Sequence, residues 1–246
     1  MVRARHALLA LTLLLLTGCS NAPGPQVQVL VSTGDSAPPA AQARYADLLQ
    51  QQILPALPYG TRLQLAPIDY RAFTAAAVNI DFPSASLLTR PTGLEAKRAR
   101  RGQQDAATAA LTQFHARQAG SGTEIIGAVQ AAAGRFGKGS PAARKLLVLL
   151  TTGFEQSELF NLYDTRLDLQ SAAGIDQLLA KAKATHAVPD LQGVTVCIAG
   201  ITNGDDNAAP LRLVSGLERW WRAYFAAAGA QVASYGAGLE GCPLSG

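Results

Sequence analysis

The sequence is poor in the side chains that do most of the chemistry in proteins. Its 246 residues include only three histidines and three cysteines. A serine hydrolase needs a base beside its nucleophile. Apart from His6 near the amino terminus, the histidines are His115 and His186. Both fall on predicted helices or helix ends, far from the predicted strand ends, and read as surface or packing residues. No G-x-S-x-G occurs. There is no C-x-x-C and no cysteine–histidine cluster, which speaks against zinc. No G-x-G-x-x-G closes the first predicted strand and no G-x-x-x-x-G-K-[ST] is present, so dinucleotide and P-loop readings fail. The acidic pair Asp205–Asp206 sits among turn residues, and turn chemistry accounts for it. The aromatic residues lie in helical stripes rather than in a basic groove, which argues against a nucleic-acid partner. Neither enzymatic activity nor a cofactor is expected.

Also lacking is an apolar run of the roughly 20 residues that span a bilayer. The longest, Ala7 to Leu16, is too short and follows Arg3 and Arg5, the pattern of a secretory signal. Leu16-Thr17-Gly18-Cys19 closes it and resembles the bacterial lipobox. The resemblance implies cleavage before Cys19 and acylation of its sulfur, hence a lipoprotein anchored to the membrane of the cell envelope. Ser20, rather than Asp, implies the outer membrane in a diderm cell. The alternative is an ordinary signal peptide with an incidental cysteine. The expected organisation is a signal over residues 1–18, a tether over 19–25 and one domain over 26–246.

Removing Arg3 and Arg5 takes the formal charge from 21 − 17 = +4 to +2, too little to suggest a polyanionic partner. The dense basic run Lys97-Arg98-Ala99-Arg100-Arg101 suits the solvated face of a helix. After lipidation two cysteines remain, Cys197 and Cys242. In an exported protein they can form one disulfide that staples the tail to a late strand. The alternative is a buried thiol at Cys197 and a loose one at Cys242.

What is abundant is apolar pattern. Val27 to Val31 holds four apolar residues in five, followed at once by Ser32-Thr33-Gly34-Asp35-Ser36. That reads as a strand buried on both faces, then a loop into a helix capped by Ser36 or Asp35. Further strands are predicted over Thr61 to Ala66, Val78 to Phe82 (an edge), Leu146 to Leu150, Val194 to Ala199 and Gln231 to Tyr235. Helices are predicted over Ala40 to Leu54 (stopped by Pro55), Gly93 to Ala119, from Thr123, Ile175 to Ala184 and Leu211 to Ala228. Strands alternating with helices predict an α/β fold, a doubly wound and mostly parallel sheet covered on both faces.

Three segments, VQVLVSTGDS, SGTEIIGAVQAA and KLLVLLTTG, together resemble the metal-site segments of von Willebrand factor type A domains. In that family the first strand ends in Asp-x-Ser-x-Ser, a Thr opens a later helix, and the fourth strand ends in Asp-Gly. The order and spacing match across nearly the whole mature chain. The resemblance also predicts departures. Ser32 stands for the first Asp, Gly34 for the next Ser, Ser36 and Thr123 are retained, and Thr152 replaces the second Asp. Magnesium prefers carboxylate oxygen, so no metal is expected, although Asp35 and Glu155 stand close enough to compensate. The resemblance implies a protein-binding or assembly module whose face is formed by Ser32, Gly34, Asp35, Ser36, Thr123, Thr152 and Glu155, shallow and exposed. The alternative is a small-molecule receptor or enzyme with a deep pocket at the same strand ends.

Overall fold

The computed structural model describes residues 24–33, 37–83, 91–117, 122–136, 144–201 and 211–245. Six strands make one sheet: β1 (Gln26–Ser32), β2 (Arg62–Ile68), β3 (Val78–Ile80), β4 (Lys145–Leu150), β5 (Val194–Ala199) and β6 (Gln231–Gly236). Their order is β3-β2-β1-β4-β5-β6, and every pair is parallel except β2 with β3. β1 and β4 lie at the centre and are almost wholly buried. Burial on both faces leaves no polar alternation in β4, which is why it reads as an unbroken apolar run.

Pro67 lies inside β2, one residue beyond the expected strand end. It is tolerated because β3 pairs only with Leu63 to Leu65. Ile68 turns its carbonyl toward β1 to accept from Thr33 N–H at 3.1 Å, so Pro67 faces the unpaired edge and no ladder bond is lost.

The first helix begins as α1 (Pro39–Asp47), passes through a π-helical stretch (Leu48–Ile53) and ends in one α turn (Leu54–Ala56). Its N-cap is neither of the expected residues, Ser36 and Asp35, which lie outside the described residues. Pro38 holds the N-cap and Pro39 follows, which needs no amide donor at that position. Pro55 does not stop it either. The Leu54 amide bonds five residues back to Leu49 O, and Pro55, with no N–H, falls where the ladder changes from π to α.

The other helices are α2 (Gly93–Ala116), α3 (Ile125–Phe136), α4 (Ala172–Ala184) and α5 (Leu211–Ala227). α1, α2 and the tail residues Leu239 and Leu244 cover one face of the sheet. α3, α4 and α5 cover the other, where Trp220, Trp221, Tyr224 and Phe225 form a fully buried aromatic cluster. The basic run on α2 is exposed or half-buried along the helix. Cys197 of β5 and Cys242 are joined by a disulfide with Cα atoms 5.8 Å apart. The Arg144 guanidinium then grips the tail by the carbonyls of Pro243 (2.6 Å), Leu244 and Ser245. No helix among the described residues is long and apolar enough to cross a membrane.

Candidate functional site

The strand order reverses between β1 and β4, where the loops leaving the carboxyl ends part to opposite sides of a doubly wound sheet. Val31 lies opposite Leu150, so Ser32 and Thr151 are the next residues out on neighbouring strands. Thr123 reaches the same edge by a different route. Thr123 and Gln156 exchange backbone hydrogen bonds of 3.0 and 2.9 Å, and Glu124 N–H donates to Asp69 O at 3.0 Å. Loops after β2, after β4 and before α3 are thereby knitted together.

Two glycines make this knitting possible. Gly153 has φ +83°, and a side chain there would meet Ile201 Cδ1 at 2.9 Å. Its carbonyl accepts from Trp221 Nε1 at 2.8 Å and its N–H donates to Thr151 Oγ1 at 3.2 Å. Gly122 has φ +140° and packs against Gln156 O and the Tyr70 ring. Both conformations favour glycine.

Of the expected site residues, Ser32, Thr123, Thr152 and Glu155 come to this one edge. Gly34, Asp35 and Ser36 lie outside the described residues, as do Cys19 and the Asp205–Asp206 turn. The residues that gather are not exposed contact points. Ser32, Thr123 and Glu155 are fully buried, and Thr152 is 6% exposed. Among the described residues, the hydroxyls that the sequence places on a shallow face are buried.

Glu155 does not stand in for a lost ligand. Its Oε2 accepts from the Ile126 N–H at 3.0 Å, so the carboxylate caps the first turn of α3, where unsatisfied amides favour negative charge. Burial nevertheless pushes its pKa up to about 7, against the lowering pull of the Ser157 hydroxyl and the Ile126 and Ile125 amides. Among the described residues Oε1 has no partner of hydrogen-bond geometry, and neither do Ser32 Oγ, Thr33 Oγ1 and Thr152 Oγ1.

This donor set does not fit a divalent cation. The hydroxyls carry no charge, and Glu155, the one carboxylate of the set among the described residues, is engaged by the helix terminus. Among the described residues no group of three or more His, Cys, Asp or Glu is arranged to hold a metal. Thr33, within the expected Ser32–Ser36 loop, and Thr151 are both buried at the edge, and neither is among the expected site residues. Their polar character at the end of apolar strands is the signal that marks them.

Beside the buried edge runs an open groove of about 680 Å³ lined by Tyr70, Phe73, Glu124, Ser157, Glu158 and Leu159, among others. Tyr70 is 43% and Phe73 57% exposed, two of the three large exposed hydrophobic residues described.

No protein-family model matches the sequence, and no curated protein is similar to it. Solved structures are. The minor pilin PilB of Streptococcus sanguinis shares 12% identity at a TM-score of 0.50, over 89% of this chain and 58% of that one. The fold is von Willebrand factor A-like. The pilus adhesin SpaC of Lactobacillus rhamnosus GG shares 16% identity at a TM-score of 0.47, over 83% of this chain and 27% of its own. BatB of Bacteroides thetaiotaomicron shares 13% identity at a TM-score of 0.45, over 88% and 93%. The chain thus spans about a quarter of the adhesin and 58% of the minor pilin. At such identities the likeness is one of fold.

Proposed function

We propose that the chain is a lipid-anchored envelope protein whose von Willebrand factor A-like domain binds a protein partner, as a recognition or assembly module, without the divalent ion that this fold family uses. The observation that carries this reading is the meeting of Ser32, Thr123, Thr152 and Glu155 at the central strand ends with the acidic ligands replaced or diverted. With those side chains buried, the partner meets the adjoining loops and the groove with Tyr70 and Phe73 at its surface. Exposed aromatics are favoured anchors at protein interfaces. The disulfide fits an oxidising compartment.

The test is a photo-crosslinking residue at position 158, on the same groove, with the protein in its native membranes. One discrete adduct, reproduced with the purified partner and lost when Tyr70 and Phe73 are both replaced by Asp, is expected. An adduct pattern indifferent to that double substitution overturns the reading. Calorimetric titration with Mg²⁺, Mn²⁺ and Ca²⁺ tests the missing ion. A micromolar isotherm abolished by Thr123→Ala defeats it.

A second reading, a small-molecule receptor or enzyme working in the crevice at the strand ends, is favoured by the four buried polar atoms there that have no hydrogen-bond partner among the described residues. It requires a ligand that co-purifies with the protein in native mass spectrometry and is lost in Thr152→Val.

A further inference from the structure

A second polar site lies toward the other end of the strands, on the face that carries α3. Gln28 pairs with Gln64 across β1 and β2, and Gln64 with Asn79 across β2 and β3. These three amides form a row in register on one face of the sheet, because residues paired directly across neighbouring strands point to the same face. Gln64 Nε2 donates to Asn79 Oδ1 at 2.9 Å. Arg62 and Asp81 stand one step further toward the amino end of β2, and Arg135 of the last turn of α3 forms a wall. All six line a pocket of about 350 Å³, within the range of small-ligand sites.

The row is built rather than incidental. Gln28 is only 2% exposed although polar. Its Nε2 donates to Ala132 O at 3.1 Å, and its Oε1 accepts from Arg135 Nε at 2.8 Å. That contact fixes the plane of the guanidinium and leaves its two terminal nitrogens without a partner among the described residues. Among the described residues no carboxylate pairs with Arg135 either. The guanidinium is more than half-buried, and desolvation lowers its pKa from the ordinary value. A partly desolvated fork with an oriented plane is matched by a planar anion that accepts two parallel hydrogen bonds. A neutral polyol would satisfy the amides and leave that charge uncompensated. Two guanidinium groups against the single carboxylate of Asp81 point the same way.

We propose that this pocket binds a carboxylate carried by a small polar molecule or by a peptide carboxy terminus. The fork of Arg135 receives the carboxylate, and Gln64 and Asn79 receive the neighbouring hydroxyl or amide groups. The site stands apart from the carboxyl edge of the sheet and does not depend on the function proposed there.

The test is a ¹⁵N NMR titration of the protein with three probes: gluconate, N-acetylalanine and, as uncharged control, N-acetylalanine amide. The expected result is that at least one acid, at millimolar concentration, shifts the side-chain signals of Gln28, Gln64, Asn79 and Arg135 Nε together. The control leaves them in place. The tighter acid tells a hydroxy acid from a peptide terminus. Arg135→Gln weakens binding about tenfold or more, the scale of a charge-assisted pair. Gln64→Glu, which leaves the Arg135–Gln28 contact untouched and brings a like charge to the ligand, abolishes it and decides the matter if Arg135→Gln does not fold. Equal binding of the control, unaltered binding by either variant, or no shift from both acids overturns the proposal.

Discussion

The carboxylate of Glu155 meets the backbone N–H of Ile126 at 3.0 Å, inside the protein and 29 residues away along the chain. A side chain that sequence spacing offers as a ligand is instead the cap of a helix. The same contact joins the loop after β4 to the start of α3, so the geometry of the carboxyl edge depends on it.

That burial has a consequence in pH. The folded state raises the Glu155 pKa from 4.5 to about 7, so the folded protein binds this proton more tightly than the unfolded chain. Its contribution to stability is greatest below pH 4.5 and is lost as pH rises toward 7, by about 3 kcal/mol over that window. Glu155→Gln keeps an acceptor for Ile126 and removes the charge. Urea denaturation at pH 5 and pH 8 is expected to show a smaller difference in the variant, with the variant more stable than the parent at pH 8.

The tail is held by the Cys197–Cys242 bond, which closes a separation of 45 residues, and by three carbonyls on Arg144. Cys242→Ser is expected to lower stability by about 2–4 kcal/mol, read as a drop in Tm. Limited proteolysis of the variant should cut first within residues 237–245. The carboxyl edge, on other elements, should keep its amide signals.

At Gly153 a methyl group has neither space nor a comfortable backbone, with φ +83° and Ile201 Cδ1 at 2.9 Å. Gly153→Ala is expected to destabilise by about 1–3 kcal/mol. It should also change the fluorescence of Trp221, whose Nε1 donates to the Gly153 carbonyl. Unchanged emission would mean that the loop absorbs the methyl group elsewhere.

His186 is the one described non-glycine residue with positive φ, at 55°. It ends α4 as a left-handed cap, with Ala187 N–H returning to Ala182 O at 2.8 Å. His186→Gly is expected to raise stability by about 0.5–1 kcal/mol in chemical denaturation. A loss would show that the imidazole does more than occupy the turn.

Much of this fold could be read from the chain. β5 spans Val194–Ala199 as the apolar pattern predicts, because burial on both faces erases competing signals. α5 carries Trp220, Tyr224 and Phe225 on one buried stripe. The boundaries that escaped were set by prolines acting in context. Pro38, Pro39 and Pro55 are breakers locally, yet here the first two start one helix and the third lies inside its last turn. The site was legible as a place and not as a geometry. Nothing in the spacing Thr152 to Glu155 reveals that Gly153 turns the loop so that the carboxylate reaches α3. Gln28 and Arg135 are 107 residues apart and carry no shared local pattern, so their contact comes only from tertiary packing.

Arg144 has one more implication. Its carbonyl accepts from Gln26 N–H at 2.8 Å where the first strand enters the sheet, while its side chain clasps the last carbonyls of the tail. Entrance and exit of the domain therefore share one pole, and Ser32, Thr151 and Thr123 occupy the opposite one. Whatever holds the domain by either terminus leaves its loops and the Phe73 groove pointing outward, away from the point of attachment.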